Sequence, residues 1–356
     1  MLVFKYISFH YIKYFLIILT ALMLFLVGFD YMENAGDLSK SANLVLIYVV
    51  YKSFFAIDML LPLSLVFAMV STKIFLIRSN ALVSFYSLGY SRIDVLRPFV
   101  VVSTSIILLF ISLHSFANFS RADEFSNNIR KNAEYLSPTH DLFFTYKNQY
   151  IYISKMLPLE ERAEGIRVFS LKENSLKAVL VASKAVYKDD YWYIKQADII
   201  TKPDSVSFDS SGMKVSNIHD LKILEGFRPK ILDQVYEGKV NFTILNAVNA
   251  IFLLKDQNIN ISTIKGALYK IFVYPFFVPC LVVIIFFFVP ISPRFLNVSL
   301  FSFGAILATL LVWGVLFMLI ELSNNKTISS EVGIVLPIVI LLLIAIRQYR
   351  HYRHST

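Results

Sequence analysis

"RSNALVSFYSLGYSRIDVLRP", Arg78 to Pro98, decides how this chain is read. Its charges, Arg78, Arg92, Asp94 and Arg97, lie towards the ends, and Phe85, Tyr86 and Tyr90 fill the middle. Before it runs an apolar stretch, Leu44 to Ile77, interrupted by Lys52 and Asp58; after it comes another, Phe99 to Phe116. A hydrocarbon core of roughly 30 Å takes about 20 apolar residues per helical crossing. The flanks therefore read as membrane spans, with Ser53 to Ile77 as the crossing on the amino side and the turns before Ser53 interfacial. The quoted stretch is the short connection between them.

The rest of the chain extends the pattern. Of 356 residues 56% are hydrophobic, 17% are charged and Phe occurs 32 times, a balance outside that of soluble domains. Tyr14 to Phe29 is a first span; its length and the lack of a small-x-small site in Asp30 to Lys40 argue against a cleaved signal. Further spans follow at Ile271 to Pro290, Leu300 to Ile320 and Val332 to Ile346. The expected fold is an α-helical membrane protein of three spans, an inserted β domain and three spans. Its divisions are 1–118, with a short connecting helix at 79–90; 119–267, the β domain and its linkers; and 268–356, ending in a basic tail.

Charge orients it. With a cytoplasmic amino terminus, the inside segments carry Lys5, Lys13, Lys73, Arg78, Arg92, Arg97, Arg294, Arg347, Arg350 and Arg353 against Asp94. The outer loops carry Asp30, Glu33, Asp37, Glu321 and Glu331 against Lys40, Lys52 and Lys326. That asymmetry follows the positive-inside rule, so both termini are expected inside and the insert outside. Residues 119–267 hold 20 basic and 18 acidic residues, a net of +2 within the chain's +9, which argues against a nucleic-acid face.

The insert reads as β. Asn148 to Met156 and Gly165 to Asn174 are rich in β-branched and aromatic residues, and Leu176 to Pro203 continues with a turn at Asp189 and Asp190. Val206 to Val215 reads as a hairpin around Ser210, Ser211 and Gly212. Closely spaced strands of this kind suggest a sandwich or jelly roll.

Catalytic signals are absent. Cys280 is the single cysteine, none of the six histidines falls in a metal-ligand motif, and there is no phosphate-binding glycine loop. No catalytic residue, metal or cofactor is expected. A coupled carrier would bury several ionisable residues at mid-membrane. Here the candidate is Asp58, near the outer end of its span, where a structural role is the simpler reading. Gly304 and Ala308 form a small-x-x-x-small pair, a helix-packing signal first and a gate only second.

The connecting stretch itself looks built to be held. Ser79 is placed to cap a helix from Asn80 to Leu88, Gly89 to stop it, and Ser91 with Asp94 to start the next. Leu82, Phe85 and Leu88 recur at helical spacing, with Tyr86 beside them. One reading is an interfacial helix on the bilayer, with Arg78 and Arg92 near lipid phosphates. The other is a coupling helix docking in a groove of a soluble ATPase.

At these residues the sequence resembles the LptF/LptG permeases of the lipopolysaccharide exporter. The resemblance runs through "FDYMENAGDL", "LLPLSLVFAMVSTKIFLIRSNAL", "YIYISKM", "GIRVFSLKEN" and the closing spans. "FDYMENAGDL" and "SPRFLNVSLFSFGAIL" look more like LptG, while "SANLVL" and "LPLSL" resemble LptF. The resemblance implies a subunit of the bacterial inner membrane paired with a second LptF/LptG-type permease on two copies of an LptB-like ATPase. Lipopolysaccharide would pass along the β-jellyroll to LptC and LptA. It implies ATPase docking through Arg78, Asn80, Leu82, Phe85, Tyr86, Leu88 and Gly89. It also implies a substrate cavity or gate near Asp30, Glu33, Lys40, Asp58, Gly304 and Ala308. The chain departs from the family in two respects: Asn80 stands where a glutamate is frequent, and Asp30, Glu33 and Asn34 stand where LptG relatives place lysines. A protein of another class, an ATPase-coupled mechanotransmitter or sensor that moves no lipid, would share the coupling helix.

Overall fold

The computed structural model describes the chain except residues 1, 39–41, 131–138, 147–148, 158–160, 173–174, 190, 204–211, 226–242, 246, 249–250, 252–261, 289–296, 326 and 355–356. It divides into two compact units, Met1–Lys131 with Lys265–Thr356, and Asn132–Ile264.

Among the described residues, six helices are long and apolar enough to cross a membrane. Helices α1 (Leu2–Leu38) and α2 (Ala42–Arg78) have 37 residues each. At 1.5 Å per residue each is about 55 Å long, well beyond a hydrocarbon layer of about 30 Å. The turns expected to be interfacial before Ser53 are part of α2, because Leu44 to Lys52 contains no glycine or proline to stop it. A short α3 (Ala81–Ser87) leads to α4 (Arg92–Leu113). The capping box forms as the sequence suggests: Asp94 N donates to Ser91 Oγ at 3.2 Å, and Ser91 N to Asp94 Oδ2 at 3.1 Å.

The helical unit continues past residue 118. Helices α5 (Ala117–Ser120) and α6 (Ala122–Arg130) pack against α2, so this part of the expected linker belongs to the helical unit. The fourth span is α7 (Ser262–Phe272), a 3-10 turn Tyr274–Phe276, and α8 (Phe277–Phe288). Pro275 lies in the break, where it lacks the N–H a continuous helix needs. Span five is α9 (Val298–Asn324), capped by Asn297 Oδ1, which accepts from Ser299 N at 3.1 Å. A π-turn, Glu331–Val335, opens the sixth span and runs into α10 (Leu336–His354).

Helix α2 is the hub, touching α1, α4, α6, α8 and α9. Its most apolar stretch is 78% buried, against 11% for α1 and 22% for each of α9 and α10. Lipid supplies no hydrophobic drive between helices, so close packing decides which ones associate. The first span and the last two thus leave most of their surface to lipid or other proteins. Where α9 meets the π-turn, Gly333 permits the approach: a Cβ there would lie 2.9 Å from Leu319 O.

Among the described residues, the second unit contains one antiparallel sheet with six strands in chain order: β1 (Thr139–Tyr146), β2 (Gln149–Leu157), β3 (Arg162–Lys172), β4 (Ser175–Lys188), β5 (Tyr191–Thr201) and β6 (Lys214–Ile223). Register aligns its buried side chains in rows, Leu142 opposite Ile153 opposite Ile166 opposite Ala182. This alternation is what the β-branched runs encode. The β4–β5 turn falls at Asp189, φ 52°, as expected. Most of the proposed Val206–Val215 hairpin lies outside the described residues.

Candidate functional site

A helix as short as α3, seven residues, has no stability of its own. It is held from beneath. Leu82 is completely buried, and Phe85 packs edge-on to Tyr6 of α1 with ring centroids 6.1 Å apart. Tyr6 lies 4.4 Å from the His10 ring, which stacks on Phe75 of α2 at 4.7 Å. The entry differs from the sequence expectation. The Ser79 hydroxyl donates back to Phe75 O at 2.9 Å instead of capping α3, and Asn80 makes the turn with φ 56°. Bonding to the preceding turn competes with the capping role of a serine. The exit is as expected: Gly89 has φ 87°, and its N–H donates to Tyr86 O at 3.0 Å. Tyr86 is half-buried; burial pushes its phenol up to about 12, partly opposed by the charge of Arg92.

The outward side of this end carries Arg78, Ser79, Asn80, Val83, Ser84, Ser87 and Leu88. Leu88 is 73% exposed, so the helical spacing of Leu82, Phe85 and Leu88 does not place them on one free face. Around α3 the helix ends are tied together. Lys73 donates to Phe286 O and sits 3.6 Å from the Phe286 ring centre. Arg92 lies 5.7 Å from the Tyr352 ring, which stacks on Phe287 at 4.4 Å. Lys73 appeared in the sequence only as an orientation charge.

The opposite end holds a polar network. Lys52 pairs with Asp30 at 3.0 Å and approaches Asp123 at 4.0 Å, and the Tyr48 hydroxyl donates to Asp30. Arg130 donates to Asn34 Oδ1 at 3.1 Å, joining α6 to α1. Burial raises the Asp123 carboxyl above its usual range, partly offset by Lys52 and Arg130. Asp58 meets His114 Nε2 at 2.9 Å, while His114 Nδ1 lies 3.1 Å from Phe110 O. Carbonyl and carboxylate oxygens both accept, so each ring nitrogen of His114 faces an acceptor.

The cavity candidates are therefore dispersed. Asp30 and Asp58 are held in separate pairs, Glu33 is exposed, and Lys40 lies outside the described residues. Gly304 and Ala308 are exposed on α9, and a Cβ on Gly304 would meet nothing within 4 Å. His114, Tyr48, Asp123 and Arg130 were not singled out by sequence; their partners come from other helices.

One family spans the whole arrangement of six apolar helices with an antiparallel sheet between the third and the fourth. The family described as lipopolysaccharide export system permease LptF/LptG matches residues 5–351. The chain belongs to the LptF/LptG family. The match takes in both helical blocks and the sheet, and it does not separate LptF from LptG. A search of curated proteins gives no match. As an LptF/LptG member the chain is a multi-pass protein of the inner membrane with a permease role in lipopolysaccharide export, a transport subunit.

Proposed function

We propose that this chain is one of two permease subunits of an ATP-driven exporter. The α3 end faces the cytoplasm and grips an LptB-like ATPase dimer; the sheet lies in the periplasm and hands lipopolysaccharide toward LptC- and LptA-like proteins. The observation that carries the reading is the seating of α3. Leu82 and Phe85 fix it to the ends of α1 and α2, while Val83, Ser84, Ser87 and Leu88 stay outward. A helix held inward by one apolar pair and offering another outward suits a transmitted push better than a helix resting on lipid.

The contacts around it offer a route into the membrane. Tyr6, His10 and Phe75 connect α3 to the first two spans, and Lys73 with Phe286 connects the second to the fourth. A second permease subunit is favoured by the low burial of α1 and α9 and by the open Gly304–Ala308 face. At the outer end, Asp30 engages Lys52, so a lysine absent from the first span's end is supplied by α2. The test is copurification of the tagged chain from membranes. The purified chain alone should hydrolyse no ATP, and hydrolysis should appear with a separate ATPase subunit that copurifies. Sustained hydrolysis by the chain alone would refute this function.

A further inference from the structure

Between α4, the fourth span and α10 lies an apolar groove of about 710 Å³. Leu96, Val100, Phe276, Val283 and Leu342 form its walls; Arg97 and Tyr349 are its polar members. Its lining on α10 runs from Ile338 to Tyr349, eleven helical steps or about 16 Å. Half of a hydrocarbon core is about 15 Å, so the groove is as deep as one leaflet. Both polar members lie at the same end. Arg97 is in the second turn of α4 and Tyr349 in the closing turns of α10, and the contact of Arg92 with Tyr352 brings those helix ends together.

That end is cationic. Arg92, Arg97, Arg347 and Arg350 gather on the two helices against Asp94, which is 3.1 Å from Arg97 Nη1. The Arg97 side chain remains 67% exposed, so its guanidinium has free donors for a second acceptor. No wall comes from α1 or α9, the two spans proposed above to meet a second permease. We propose that this groove is a binding site for an anionic glycerophospholipid, with one acyl chain against the walls and the headgroup phosphate at Arg97 and Tyr349. On the orientation proposed above, the lipid comes from the cytoplasmic leaflet. The site is separate from any path of the exported lipid along α1 and α9. Acyl-chain length, leaflet depth and charge at one end select this ligand; a protein helix would not need the cationic end.

The test uses the full chain with its copurifying partners in nanodiscs containing a phosphatidylglycerol that carries a photoactivatable group in its acyl chain. Crosslinks mapped by mass spectrometry should favour Leu342 and Val100 at least fivefold over Leu343, which is exposed on α10 but does not line the groove. Unlabelled phosphatidylglycerol should compete about tenfold better than phosphatidylethanolamine. Val339→Trp, at an exposed wall position, should abolish the preference for groove residues, and Arg97→Gln should level the two competitors. Equal labelling of Leu343, or equal competition by the two lipids, means annular lipid and overturns the proposal. Protection of the groove by a copurifying protein, or its labelling by a lipopolysaccharide probe in preference to phosphatidylglycerol, overturns it as well. Because the readout is lipid contact, a failure here leaves the export reading standing, and a chain inactive in export can still show the site.

Discussion

Leu82 and Leu88 are six residues apart on the same short segment, and exchanging each for alanine should give opposite phenotypes. Leu82 is fully buried outside the spans, where water is the alternative environment. Core Leu→Ala changes cost about 2–5 kcal/mol. With seven residues α3 cannot stand alone, so a loss of this size should release the segment locally before the spans unfold. Leu88, 73% exposed, has little to lose in the isolated chain, and its truncation should stay within about 0.5 kcal/mol. At the centre of an ATPase interface the same truncation can cost about 2 kcal/mol, roughly 30-fold in affinity. Hydrogen exchange of amides 81–90 and ATPase copurification, measured on both variants, separate the two roles. Leu82→Ala should accelerate exchange and thereby weaken binding; Leu88→Ala should leave exchange unchanged and weaken binding directly. If Leu88→Ala keeps wild-type affinity, or loosens α3 as much as Leu82→Ala does, the division into an inward and an outward leucine is wrong.

Lys52→Met should destabilise the chain by about 1–3 kcal/mol by leaving the half-buried Asp30 carboxylate without its cation, and Lys52→Met with Asp30→Asn should recover most of the loss in thermal unfolding. Gly333→Val should cost about 1–3 kcal/mol, since its Cβ would press on Leu319 O, whereas Gly304→Val should leave the isolated chain unchanged and reduce only assembly with a second permease, read by copurification. In a Cys280→Ala background, a cysteine at Asp189 should react with an impermeant thiol reagent added outside, and one at His351 should react only after the membrane is opened; the reverse pattern would invert the orientation.

The spans and the sheet were legible because their signals are local and repeat many times, as apolar runs of span length or alternation over strand length. Single contacts were not. Leu82, Phe85 and Leu88 keep helical spacing, but two turns of helix cannot say which side faces the protein; Tyr6, far upstream, decides it. Ser79 illustrates a local rule with two outcomes: the same hydroxyl can cap the next helix or bond back to the last one. Here Asn80 takes a left-handed turn and Ser79 bonds back. Asp58 read as a structural charge near a span end, and its partner there, His114, lies 56 residues away.

The lysines of α2 show what charge counting sees and what it leaves out. Lys52 entered the count as an outer-loop charge and Lys73 as an inner one. Both are buried within the same helix. They are 21 residues apart, or about 32 Å along the axis, close to the thickness of the hydrocarbon core. Each is partnered by an acceptor from a different helix, Asp30 of α1 at one end and the Phe286 carbonyl of α8 at the other. A lysine at either depth can place its ammonium at the interfacial level while its stem lies along apolar neighbours. The spacing that makes the second span legible as a crossing therefore also puts one cation at each of its ends. Those cations join the hub helix to two others, so removing either one should loosen a helix contact at its own end of the membrane and leave the opposite end intact.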